Sequence, residues 1–243
     1  MSPFELRDLS GMIEFLQAEA LQRLVWGDDD SADPADLMMV IQHEGGLVAG
    51  AFEKDELIGY IFGFPTRDRF VQHSHRLAVS PTARGRGIAL QLKRYQRRWC
   101  LEHGIELIRW TFDPLRHTNA HLNVSRLGVT VSTYLADYYG AMKGINAGLA
   151  SDRLLAEWDL NCPRVVALAQ GNTDGSLKEA VNKPPIMIKI PADLNQLLAC
   201  DKAGAVEVRM QVRNALTKHF AAGYSITDYD AARYEYHLTQ IAR

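Results

Sequence analysis

Leu77-Ala78-Val79-Ser80-Pro81-Thr82-Ala83-Arg84-Gly85-Arg86-Gly87-Ile88-Ala89 is the stretch on which the reading of this chain turns. The run Val71 to Val79 leads into it and stops at Ser80-Pro81, so it reads as a strand. Behind it Ile88, Leu92, Tyr95 and Trp99 recur every three or four residues, with Lys93, Arg94, Arg97 and Arg98 between them, until His103-Gly104. That is an amphipathic helix with a C-terminal stop. The order is therefore strand, glycine loop, helix. Glycines at 85 and 87 let the backbone approach a ligand with no Cβ in the way, and the first free N–H groups of the helix point into the same space with the positive end of its dipole. An anion, above all a pyrophosphate, suits such a place. The loop lacks the Gly-Lys-Ser/Thr ending of a P-loop and the spacing of the dinucleotide fingerprint.

Upstream, Phe4, Leu6 and Leu9 read as a short edge strand, and Ile13, Leu16, Ala20 and Leu24 as the buried stripe of a helix. The acidic run Asp28 to Asp30 interrupts it. Ser31 or Asp33 is the expected cap of a second helix from Pro34 to His43, and Leu47 to Phe52 with Leu57 to Phe64 form a hairpin turning at Glu53 to Glu56. Downstream, Ile105 to Phe112 is a strand, Thr118 to Leu127 a helix closed by Gly128, and Val129 to Tyr139 and Leu154 to Leu160 two further strands. Periodicity is lost from Asn161 to Pro185, a linker or excursion. It returns with a strand at Ile186 to Ile190, a helical stretch from Leu194 to Phe220, and strands at Tyr224 to Tyr229 and Tyr234 to Leu238. Asn119-Ala120, Gly128 and Tyr134 recur at one constant offset as Asn214-Ala215, Gly223 and Tyr229, the signature expected of a partial repeat without the glycine loop.

Arg84-x-x-Gly87-x-Ala89 after Leu77 to Pro81 resembles the first motif of the GNAT acyltransferase superfamily, Q/R-x-x-G-x-G/A. The resemblance implies an α/β (α+β) acyl-CoA acyltransferase fold: a mixed, mostly antiparallel central sheet flanked by helices, here with a smaller α/β C-terminal extension like that of some uncharacterised bacterial members. It divides the chain into a GNAT domain over 1–160, a linker over 161–185 and an extension over 186–243. It also implies that Gly85, Arg86, Gly87, Ile88 and Ala89 offer backbone N–H groups to the pyrophosphate of acetyl-CoA or another acyl-CoA, with Arg84 at the Q/R position. Leu77 and Val79, on a bulged strand, would offer main-chain groups to the pantetheine arm. Arg86, Lys93, Arg94, Arg97 and Arg98 are candidates for the CoA 3′-phosphate, or simply a solvated helix face.

The second motif of the family is half present. Asn119 and Gly128-Val129 fit it, but the position of the tyrosine that protonates the departing thiolate holds Val124 or Ser125. Tyr134, Tyr138 and Tyr139 lie downstream; Tyr134 is the acid expected, with solvent as the alternative. For the base, His73 and His75 share a face of the motif strand, and His75 stands where many members carry a Glu or other base. With no third ligand, these histidines make no metal site. Glu106, Arg109, Asp113, Arg116, His117 and His121 are candidate acceptor-pocket residues; the acidic run is either a capping loop or a lure for a cationic amine.

Composition bounds the rest. Of 243 residues 47% are hydrophobic and 23% charged, a folded chain, and 27 basic against 29 acidic residues give a net charge of -2, no field for nucleic acid. Without a spanning apolar run or signal segment, no membrane partner and a cytoplasmic location are expected. Cys100, Cys162 and Cys200 form no CxxC pair and read as reduced thiols. The function expected is acetyl transfer to the primary amine of a small molecule, with no metal; the alternative is a non-catalytic acyl-CoA-binding or partner-binding module. The extension is expected to shape the acceptor pocket or to make a homodimer contact.

Overall fold

The structure, a computed structural model, describes residues 4–28, 31–140, 149–172 and 184–240. Asp29 and Asp30 of the acidic run and residues 173–183 of the expected linker lie outside them. The chain falls into two units, Met1–Arg109 and Trp110–Arg243, so the division runs inside one strand, β5 (Leu107–Phe112). Among the described residues no helix is long and apolar enough to cross a membrane.

In the first unit β1 (Glu5–Asp8), β2 (Leu47–Glu53), β3 (Glu56–Pro65) and β4 (Val71–Val79) pair antiparallel in chain order, and β4 pairs parallel with the start of β5. Both faces of this sheet are covered, which is why β2 and β3 read as continuous apolar runs instead of alternating ones. On one face Val48, Phe52, Tyr60, Phe62 and Ala78 pack against α1 (Gly11–Trp26) and α2 (Ala35–His43). On the other, Leu47, Ala49, Ala51 and Ile61 pack against Ile88 and Leu92 of α3 (Ile88–Glu102).

Three local expectations are corrected here. The buried face of α1 is Phe15, Ala18, Leu21 and Gln22, whereas the expected stripe is exposed: Ile13 at 74%, Leu16 at 52% and Leu24 at 62%. The helix carries two apolar stripes, and the sheet takes the one with the aromatic ring. Neither Ser31 nor Asp33 caps α2. Its first residue Ala35 donates its N–H to Glu19 Oε2 at 2.8 Å, and Asp33 is drawn to the sheet instead. Lys93, expected on a solvated face, is 2% exposed and donates to Ser74 Oγ at 2.8 Å and Gln96 Oε1 at 3.2 Å. Positions 93, 96 and 100 of α3 share a face turned to Gln72 and Ser74 of β4, so Gln96 and the Cys100 thiol both donate to Gln72 Oε1.

The second unit continues with α4 (His117–Ala120), prolonged by a wider π turn over His121–Arg126, then β6 (Thr130–Leu135), β7 (Arg153–Asp159), α5 (Pro163–Ala169), β8 (Ile186–Lys189), α6 (Leu194–Cys200), α7 (Lys202–Ala221), β9 (Tyr224–Asp230) and β10 (Glu235–Gln240). Its strands lie in the order β5-β7-β6-β9-β10-β8. Two expectations change. The 161–185 stretch opens with a helix, α5, started by Pro163 at its first position. The long helix is two, because Asp201 breaks it and caps α7, its side chain accepting from Gly204 N. α7 packs on β6, β8 and β9 with Ala205, Val212 and Leu216 buried. Its Arg209, 2% exposed, makes a two-pronged pair with Asp113 at 2.8 Å on both oxygens.

Burial of Lys93 lowers its pKa from 10.5 to about 7, and burial raises the Cys100 thiol to about 12. From about 7 up to the ordinary lysine value the unfolded chain therefore binds more protons than the folded one, and stability climbs with pH; the thiol opposes this only above its ordinary value of 9.0. The melting temperature of the wild type should rise from pH 7 to pH 9, and Lys93→Met should flatten that rise. Parallel curves for the two proteins would refute a buried, neutral lysine.

Candidate active site

The glycine loop is open to solvent. Arg84, Gly85, Arg86 and Gly87 are exposed between a short 3-10 turn at Pro81–Ala83 and the first residue of α3. Gly85 has φ 80° and Gly87 φ 76°, a left-handed backbone that favours glycine, and a Cβ on either would meet nothing within 4 Å. Glycine is thus demanded by the turn, and the space in front of it is open. No side chain caps α3, and its first backbone hydrogen bond runs from Gln91 N to Gly87 O. The N–H groups ahead of Gln91 are the donors an anion needs. Ile88 itself is buried and anchors the helix in the core, Ala89 is half-buried, and Arg86 reaches sideways to Glu53 at 2.5 Å, bracing the loop on the β2–β3 turn.

The strand leading to the loop is paired with β3 along its length and with β5 at its start. β4 pairs with β5 at Val71–Leu107, Gln72–Ile108 and His73–Arg109. Leu77 and Val79, paired with Ile61 and Gly59 of β3, are half-buried. The expected bulge is there as well. Arg76 pairs with Phe62 and Ser74 with Gly63, leaving His75 as the extra residue. A bulge turns two successive side chains to one face, and both use it: His75 Nε2 stands 3.3 Å and Arg76 Nε 3.0 Å from the carboxylate of Asp33.

His75 is the more exposed of the two histidines, and its ring lies 5.5 Å from those of Phe62 and Phe64. Burial pushes the Asp33 carboxyl up, but the hydrogen bond and charge of His75 and the charge of Arg76 outweigh it and hold Asp33 below its usual value. In the tautomer in which Asp33 accepts from Nε2–H, the neutral ring carries its lone pair on Nδ1. His73 is stacked on Phe64 at 4.9 Å, and burial, with His75 and Lys93 nearby, lowers its pKa to about 4; it is a weak base. Asp33 and Arg76 were not foreseen. Asp33 is 42 residues from its histidine, and only the bulge makes Arg76 its neighbour on one face.

Two expected site residues belong to the second unit. Asn119 is exposed on α4. Tyr134 on β6 is partly buried, and its hydroxyl donates to Asp152 at 2.5 Å; Asp152 also accepts from Arg213 Nε at 2.9 Å and Asp137 N at 3.0 Å. Burial, with the bond to Asp152, pushes the Tyr134 phenol well above its ordinary value. At the family's tyrosine position Val124 is fully buried and Ser125 donates to Tyr229 O at 2.8 Å, so neither offers a free hydroxyl. Thr111 Oγ1 at the end of β5 is 3.1 Å from the hydroxyl of Tyr139, which is 56% exposed.

Several solved structures share the fold. The aminoglycoside 6'-acetyltransferase type Ii superposes with TM-score 0.54 at 18% identity, covering 64% of this chain and 97% of that one. The Escherichia coli ribosomal-protein-S18-alanine N-acetyltransferase gives 0.54 at 13%, covering 65% and 94%. YncA of Salmonella typhimurium, a putative acetyltransferase solved with its cofactor acetyl-CoA, gives 0.53 at 16%, covering 65% and 95%. No curated protein matches by sequence. Residues 12–128, which hold β4, the glycine loop and the uncapped helix, match the sequence model of the acetyltransferase (GNAT) family.

Proposed function

We propose that the protein transfers the acyl group of an acyl-CoA, acetyl-CoA first, to the primary amine of a small molecule, directly and without a covalent enzyme intermediate. The observation that carries this reading is the exposed, uncapped loop and helix start at 84–89, which follow directly on β4. A pyrophosphate accepts from the N–H groups of the loop and helix start, and the pantetheine arm runs along the main chain at Val79 and Leu77. His75 takes the amine proton at Nδ1 while Asp33 holds the opposite nitrogen. The main-chain N–H near Leu77 donates to the thioester oxygen as the amine nitrogen bonds to the carbonyl carbon and the C–S bond breaks. Cys100 takes no part, since burial raises its thiol to about 12. We assign the leaving thiolate's proton to solvent and give Tyr134 a structural role, because its hydroxyl proton is committed to Asp152. The likeness to YncA, solved with acetyl-CoA, supports the choice of co-substrate.

Calorimetry should show acetyl-CoA binding to the wild type and none to Gly87→Asp, which strains a φ of 76° and sets a negative charge where the phosphates lie. Equal binding by both proteins would remove the cofactor site. In a thiol-release assay over a panel of amines, His75→Gln should lose about a hundredfold or more in kcat/KM with acetyl-CoA affinity unchanged. Activity within about twofold of wild type would exclude His75 as the base. Tyr134→Phe should keep kcat within about twofold and lower stability by about 1–3 kcal/mol; a selective loss of kcat with an unchanged melting temperature would return the acid role to it.

A further inference from the structure

The two hairpins of the second unit share one register. In the first, Tyr134 pairs with Leu154, Leu135 with Arg153 and Thr133 with Leu155; in the second, Tyr229 pairs with Tyr236, Asp230 with Glu235 and Asp228 with His237. Each β9 residue follows its β6 counterpart by 95 positions (229 − 134), and each β10 residue its β7 counterpart by 82 (236 − 154). Both ladders then slip at the same place, between Thr130 and Thr133 in one and between His237 and Leu238 in the other. Beyond the slip the same offsets hold, since Thr130 pairs with Glu157 and Ser225 with Thr239. A shared register could follow from ordinary hairpin geometry; a shared bulge at the equivalent residue does not.

The match extends outward. Gly128 with φ 75° and Gly223 with φ 81° stop the preceding helices at equivalent positions, 95 apart (223 − 128). The order of elements, strand, helix, strand, strand, is the same from β5 to β7 as from β8 to β10, with α6 added. The strand order β5-β7-β6-β9-β10-β8 reads alike from either end once β5 is equated with β8, β7 with β10 and β6 with β9. At its centre Val131 pairs antiparallel with Ile226, its own counterpart at 95 positions (226 − 131), and both are fully buried. A two-fold axis requires that a residue on the axis meet its own equivalent, and this pair does so.

We propose that residues 186–240 are a second copy of the half-fold 107–159, without the glycine loop, and that it acts inside the chain as the two-fold partner of the first copy. It covers the β6 edge, which would otherwise present unpaired N–H and C=O groups to another molecule. In a symmetric dimer of loop-bearing domains joined through β6, Val131 would meet Val131; here Ile226 holds that place. The protein is therefore a monomer in solution, where a homodimer contact was one of the two roles expected of the extension, and this holds whatever reaction it catalyses.

Sedimentation equilibrium of the full chain across the micromolar range should give one species of 27.2 kDa. A species of twice that mass overturns the proposal. The pairing itself is read by Val131→Cys/Ile226→Cys in full-length protein whose exposed Cys200 is replaced by serine. Mild oxidation should close a disulfide within one chain, leaving a monomer on a non-reducing gel, while Val131→Cys alone should stay uncross-linked. A dimer joined through Val131→Cys, or a double variant whose thiols remain free, overturns it. If the substituted proteins do not fold, the sedimentation result on the wild type still decides.

Discussion

The bulge at His75 sets the phase of β4, and the site depends on that phase. Before it, Gln72 and Ser74 turn to α3 and enter a buried network with Lys93, Gln96 and Cys100. After it, Leu77 and Val79 turn to α3 and pack with the apolar group around Ile88. One inserted residue thus changes a polar interface into an apolar one along the same helix. At the change itself, His75 and Arg76 emerge side by side on the opposite face and grip Asp33. The strand thus carries the proposed base and the start of the glycine loop within a few residues of one another.

Most of that strand was legible in advance, because hydrophobic periodicity and glycine placement are local. The expected limits of β4 are those observed, and the β2–β3 hairpin and α3 differ by a residue or two. The family resemblance rested on a motif whose physical content, a left-handed turn before an uncapped helix, is what the structure shows. What failed was whatever depended on distant contacts. Nothing near Lys93 says that polar residues of β4 wait across the interface. The exposed stripe of α1 is as apolar as its buried one, so composition alone does not choose between them. The pairing of His75 with Asp33 needs both a bulge and a loop folded onto the sheet, and neither has a short-range sign.

The second unit shows the reverse case, a long-range signal that was present and weak. Four repeated residue types at one offset are poor evidence of duplication when glycine closes so many helices. The offset acquires force when the same spacing organises two ladders and their slips. Arg209 and Arg213 of α7 meet Asp113 and Asp152 in buried or partly buried pairs, contacts between the two copies that no periodicity announces.

The meeting of Val131 with Ile226 also bears on how such a protein can change. In an assembly of identical subunits every substitution appears on both sides of the axis at once, so a residue on it is constrained by its own image. Covalent fusion ends that obligation. Ser125 can bond to the main chain of Tyr229 while its counterpart at the same offset, Phe220, does something else. Each half is then free to change without its image, a freedom closed to a symmetric pair.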